Sequence, residues 1–118
     1  MNIVAIESST NICSVSSFKD NHLLNVIETK EAKLHTKVLP IMIKTIMADF
    51  SNYQDIDAFA ISIGPGSFTS LRISLSLVKG LAFGLRNNII PIPTLESLNF
   101  AIDDKKEHYV ILDSFKDK

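Results

Sequence analysis

Residues Ile61 to Arg86 read I-S-I-G-P-G-S-F-T-S-L-R-I-S-L-S-L-V-K-G-L-A-F-G-L-R, and no other stretch of the chain narrows its fold as much. An apolar run ends at a Gly-Pro-Gly turn and a long helical pattern follows at once. A second apolar run, Asn88 to Pro91, comes after it. Strand, helix and strand in one sheet make a right-handed parallel crossover. The helix, from about Phe68 to Arg86, is apolar on two sides. At 3.6 residues per turn, Leu71, Leu75, Val78, Ala82 and Leu85 form one stripe, and Ile73, Leu77 and Leu81 form a second, offset by more than a quarter-turn. The first stripe can pack on the helix's own sheet. The second needs another cover. Ser76, Gly80 and Gly84 run beside it at spacings of four. Each helical glycine costs about 1 kcal/mol relative to alanine, which calls for a compensating reason, such as close approach of another backbone. That backbone is either the chain's own first helix or a partner.

The rest of the pattern completes an α/β domain. Ile3 to Glu7, Cys13 to Phe18 and Leu23 to Thr29 read as strands separated by the polar turns Ser8 to Asn11 and Lys19 to Asn21, an antiparallel meander. From Thr36 to Phe50, Leu39, Ile43, Ile46 and Phe50 recur at helical spacing and should face the sheet. Val38, Ile41 and Met42 widen the apolar surface beyond what one sheet covers and are assigned to a partner. Pro40 fits best if this helix starts near Val38 or Leu39, with an irregular first turn. Asp57 to Ile63 reads as a strand buried on both faces. Thr94 should cap a short helix with Glu96 and Ser97 in its first turn, and His108 to Asp113 reads as a last strand.

At 118 residues the chain is expected to be a single domain, 1–118, too short for two lobes with a cleft between them. A formal charge of −1 and a pI near 6.3 give no overall electrostatic case for nucleic acid or an anionic membrane. Cys13 is the only cysteine, which excludes an intrachain disulfide and a thiolate zinc cluster and fits a reducing cytoplasm. The opening run has no basic flank and meets Glu7 too soon for a signal peptide. Lys79 interrupts the longest apolar helix, so no membrane span is expected. His22, His35 and His108 are scattered and no metal is expected. A mean hydropathy of +0.20 is high for a soluble chain and again points to a covered partner surface.

The turn after the central strand invites a ligand reading. Ser67 or Thr69 can cap the helix N-terminus, and such a terminus can hold an anion. Yet there is no Walker Gly-Lys-Ser/Thr ending and no third glycine of a dinucleotide fingerprint. Gly-Pro-Gly-Ser-Phe is also not the G-x-S-x-G of a nucleophile elbow. A capped turn is the better reading, with Glu7, Ser67 and Thr69 kept as candidate anion or nucleotide contacts.

Gly64-Pro65-Gly66-Ser67-Phe68-Thr69-Ser70-Leu71-Arg72-Ile73, followed by Lys79-Gly80-Leu81-Ala82, closely resembles the signature of the TsaB (YeaZ) family, G-P-G-S-F-T-G-L-R-I-G with a downstream K-G-L-A. The opening V-A-I-E-S-S-T-N-I-C-S-V resembles that family's A-I-D-T-S-T and C-S-V. Leu34-His35-Thr36 with Leu39-Pro40, Thr94 to Leu98, and Ile111-Leu112-Asp113 resemble its H-S…L-L-P, S-L-E-A-L and I-D-A-R segments. The likeness spans nearly the whole chain.

The resemblance implies an actin-like, ribonuclease H-like ATPase fold with a mixed five-stranded sheet, here its N-terminal lobe with the second lobe absent. It implies a non-catalytic paralogue of TsaD, the enzyme that places threonylcarbamoyl on adenosine 37 of tRNAs reading codons that begin with A. Partners implied are TsaD and the ATPase TsaE, with tRNA met only through the complex. Pairing with TsaD or with a second copy would run through the two helices of the lobe, using Val38, Ile41, Met42, Ile73, Leu77, Gly80, Leu81 and Gly84. A self-dimer is expected in isolation. No cofactor is expected beyond ATP or ADP at a partner interface. An enzyme reading, a nucleotide hydrolase or peptidase using Glu7 and the Ser67 to Thr69 loop, and a degenerate self-associating fragment are the alternatives. The chain departs from the family pattern at Glu7, where Asp is usual, at Ser70 and Ser74, where Gly is frequent, and at Ser114-Phe115 in place of Ala-Arg.

Overall fold

The computed structural model describes residues 1–9, 12–30, 35–65 and 68–93. The short helix and last strand expected after Thr94 lie outside the described residues, as does Ser67. Five strands and two helices follow in the order β1 (Asn2–Glu7), β2 (Cys13–Lys19), β3 (His22–Thr29), α1 (His35–Met47), β4 (Ala58–Ser62), α2 (Phe68–Leu85) and β5 (Asn88–Ile92). One sheet holds all five strands in the order β3-β2-β1-β4-β5. The meander β1-β2-β3 is antiparallel and β5 adds parallel to β4, both as expected, and β4 joins the meander by pairing parallel to β1.

Local chemistry sets these elements. The β2–β3 hairpin closes on two residues, Asp20 and Asn21, both in the left-handed region at φ 51° and 68°. Aspartate and asparagine tolerate that conformation, and two such residues match the twist of a hairpin. Strand pairing then puts Val4, Ile6, Val15, Ile27, Phe59, Ile61 and Ile89 on one face through the registers Ile6↔Val15, Val15↔Ile27, Val4↔Phe59 and Phe59↔Ile89. That face meets Leu39, Ile43, Ile46 and Phe50 of the α1 segment and Val78 and Ala82 of α2 in a single core. Ser17 also lies on this face, fully buried, and its hydroxyl donates to the Asp49 carboxylate at 2.7 Å, tying the end of α1 to β2.

Three expectations about the helices need correction. α1 starts at His35, not near Val38, so Pro40 sits inside it and forfeits the bond to the Thr36 carbonyl. Its α-helical part stops at Met47. Asp49 and Phe50 follow through tighter bonds, from Asp49 N–H to the Ile46 carbonyl and from Phe50 N–H to the Met47 carbonyl, which carry Phe50 into the core. The third correction is rotational. Ser74, Val78 and Ala82 make the fully buried line of α2, while Leu71 and Leu75 on one side and Leu77, Leu81 and Leu85 toward the other are half-buried. The helix has settled with the seam between its two apolar sides pointing inward.

Ser74 can occupy that line because its hydroxyl is satisfied. Ser8 Oγ donates to Ser74 Oγ at 2.8 Å, with the Ser70 carbonyl 3.3 Å away, and Ser74 Oγ donates to the Leu71 carbonyl at 3.1 Å. The turn after β1 is thereby pinned to the first turns of α2. At the far end, Arg86 takes φ 58° and the Asn87 N–H bonds back to the Ala82 carbonyl at 2.9 Å, a Schellman stop with arginine where glycine is usual.

Candidate functional site: an uncovered two-helix face

α1 and α2 lie side by side on the same face of the sheet, and between them runs an apolar groove of about 450 Å³. Pro40, Ile43 and Met47 line it from α1, Leu77, Leu81, Gly84 and Leu85 from α2, with Lys44 and Tyr53 at its rim. Ile41 stands beside it, 65% exposed. On the outer side of α2, Gly80 and Gly84 are open: a Cβ built on either meets no atom within 4 Å. The reading in which these glycines make room for the chain's own first helix therefore does not hold. Phe83, between them in sequence, is 89% exposed. A phenylalanine that bare is uncommon on a folded surface, and here it continues a face of glycines and half-buried aliphatics.

Of the residues assigned to a partner from sequence, Ile41, Gly80 and Gly84 are exposed, while Val38, Ile73, Leu77 and Leu81 are half-buried and lean on the core. Met42 is only 3% exposed and belongs to the core of this chain, because α1 turns it toward the sheet with Ile43 and Ile46. Phe83 was missed. Its signal was available in sequence, since it lies three residues after Gly80 and one before Gly84, on the side opposite the buried seam.

The second candidate, at the strand ends, is geometrically a switch point: β1 and β4 are adjacent and parallel, and the chain leaves them in opposite directions. Glu7 ends β1 there and Ser62 ends β4. The Glu7 carboxylate accepts from the Ser9 N–H at 2.7 Å, from the Ser9 hydroxyl and from the Ser62 hydroxyl. Its acceptor capacity is thus turned on its own chain. A pocket of about 100 Å³ adjoins it, lined in part by Ser14, Ser16, Ser62 and Ile92. Thr69 is exposed and lies elsewhere, in a shallow hollow with Arg72, Ile73 and Ser76. The structure therefore does not gather Glu7 and Thr69 into one hollow. Among the described residues no three His, Cys, Asp or Glu side chains come together as a metal site. Nor is any described helix long and apolar enough to cross a membrane. Cys13 is buried at the start of β2, and burial, with the Glu7 charge adding to it, pushes its thiol up to about 11.

Residues 23–113 match the family model of TsaD, the tRNA N6-adenosine threonylcarbamoyltransferases. Among curated relatives, the "tRNA threonylcarbamoyladenosine biosynthesis protein TsaB" of Buchnera aphidicola from Acyrthosiphon pisum is 32% identical over 79% of this chain and 42% of its own length. The chain belongs to the TsaB (YeaZ) family. The Escherichia coli TsaB is likewise 32% identical, over 83% of this chain and 42% of its own. The tRNA N6-adenosine threonylcarbamoyltransferase of Persephonella marina is 29% identical over 86% of this chain and 34% of its own. In three dimensions, YeaZ from Pseudomonas aeruginosa superposes with a TM-score of 0.73 at 29% identity, covering 80% of this chain and 44% of that one. The chain spans less than half the length of these curated relatives. The mixed sheet with its two helices is the α/β, ATPase-like fold expected from sequence.

Proposed function

We propose that this chain serves tRNA threonylcarbamoyladenosine synthesis as a non-catalytic binding subunit, one actin-like lobe that docks through α1 and α2 onto the threonylcarbamoyltransferase in the cytoplasm. The observation that carries this reading is the uncovered outer side of α2, where Gly80 and Gly84 face open space and Phe83 stands 89% exposed. Helical glycines that serve nothing within the chain are accounted for by a backbone arriving from outside. The names of the relatives support the process, and the transferase as partner follows from the family resemblance. TsaE and tRNA would be met within that complex, and any ATP or ADP at its interfaces. Against an enzyme reading stands the Glu7 carboxylate, which is occupied by Ser9 and Ser62.

Gly80→Leu separates docking from folding. Its side chain has room in the isolated chain, so the fold is kept, yet it blocks close approach from outside. Size-exclusion chromatography with light scattering, run with the transferase of the same genome, should show the wild type co-eluting and Gly80→Leu eluting alone. Co-elution of both would reject α2 as the docking helix.

A further inference from the structure

The sheet has two edges among the described residues, and they are finished differently. β5 forms one. It is five residues long and carries Pro91, whose ring offers no N–H to a neighbouring strand. β3 forms the other. At eight residues it is the longest of the five strands, and from His22 to Thr29 it has neither proline nor lysine, the residues that commonly blunt an exposed edge. Residues 22–26 are all exposed, Leu23, Leu24 and Val26 by 56%, 48% and 45%.

The backbone of this edge faces outward at a definable place. β3 pairs regularly with β2 from Thr29 to Asn25, and the register then slips, leaving Leu24 as an extra residue before Leu23↔Phe18. Within the regular run the Val26 N–H donates to the side chain of its own neighbour, Asn25 Oδ1, at 2.9 Å, which turns it away from β2. Residues of an antiparallel strand alternate between facing their partner and facing away, so Val26 and Glu28 both present N–H and C=O to the open side.

From this edge we infer that two copies of the chain pair through β3, antiparallel across a two-fold axis centred on Val26, into one continuous sheet. The surface is separate from the α1 and α2 face, and the inference does not depend on the docking reading. In this register Val26 meets Val26 of the second copy through two N–H···O=C bonds, with Ile27 opposite Asn25 and Glu28 opposite Leu24. Apolar residues thus meet at the centre. The two Glu28 carboxylates, one from each strand, lie four residues apart along the pair, about 13 Å, beyond the screening length of about 8 Å at physiological salt. An edge that complements itself in backbone and in charge selects its own copy. Pro91 keeps β5 from taking β3 in the same way, so association stops at two copies and does not run into a filament. The axis stands perpendicular to the sheet, which keeps the helices of both copies on one side of it.

The test is made in the Gly80→Leu background, so that pairing through α2 does not contribute. Sedimentation of this parent over a range of concentrations should show a monomer–dimer equilibrium. Val26→Lys sets two ammonium groups against each other at the centre of the pair and should weaken self-association at least about tenfold, as should Val26→Glu. Mixed in equal amounts, the two variants should associate at least about tenfold more tightly than either does alone. Val26 is exposed and its N–H lies outside the β2–β3 ladder, so thermal melts of both variants should match the parent. Hydrogen exchange of the parent's Val26 and Glu28 amides should slow at least about tenfold between dilute and concentrated samples. A parent that stays monomeric throughout would overturn the inference, as would variants that self-associate as tightly as the parent. So would a mixture that stays apart, since a centre at Val26 requires the two charges to meet. Should a variant melt early, the exchange of the parent decides alone, and amides that do not slow with concentration overturn the pairing.

Discussion

Ser8 and Ser74 are both buried and face each other at 2.8 Å, so each hydroxyl depends on the other. Removing one leaves its partner without that bond in a dry site, a loss of about 1–3 kcal/mol, whereas removing both at once costs less than the sum. Urea denaturation of Ser8→Ala, Ser74→Ala and the double variant should show a coupling of roughly 0.5–1.5 kcal/mol; strict additivity would mean the pair is incidental. Arg86 offers the opposite sign. An arginine in the left-handed conformation carries a strain of about 1–2 kcal/mol that glycine avoids. Arg86→Gly should therefore raise the midpoint of thermal unfolding, and a lower midpoint would refute the account of this helix stop. Cys13 gives a pH signature. Its thiol titrates at about 11 in the fold against 9.0 when unperturbed, so the unfolded chain loses the proton first as pH rises. Its contribution to stability is full below pH 9 and is lost between 9 and 11. Wild type should lose stability faster than Cys13→Ala across that window in parallel denaturation curves.

At the scale of elements, what the sequence revealed depended on how far local pattern decides structure. The meander, the Asp20-Asn21 hairpin and the buried strand β4 were legible because turn chemistry and continuous apolar runs are local signals. The rotation of α2 was not, because its two apolar sides balance and the tie-breaker, the Ser8–Ser74 contact, spans 66 residues of sequence. The same limit explains Met42, assigned outward from sequence and found in the core. Pro40 shows tertiary packing overriding propensity: the α1 stripe over the sheet holds the helix through a missing N–H. For the candidate site, the glycine spacing pointed to α2, which carries the open face, and the place of Phe83 beside Gly84 was a further local signal that its 89% exposure makes plain. Phe83→Ala should weaken docking by at least about 1 kcal/mol, as truncation of an exposed aromatic anchor does, with no loss of stability in the chain alone. Calorimetric titration against the transferase, paired with thermal melts, would expose the idea as wrong if the melt moved and the affinity did not.

For the whole molecule, the sheet acts as a platform that sets α1 and α2 side by side and leaves their outer sides to solvent, while the strand-end carboxylate links β1 to β4. The names of the relatives point to tRNA threonylcarbamoyladenosine synthesis, and the central proposal is that the chain contributes to it by docking. The most direct measurement is reconstituted modification of a tRNA transcript, read by mass spectrometry of its nucleosides, with transferase and its co-proteins present and this chain added, omitted or replaced by Gly80→Leu. The account predicts threonylcarbamoyladenosine only with the wild-type chain added. Equal modification without the chain, or with Gly80→Leu in its place, would contradict it.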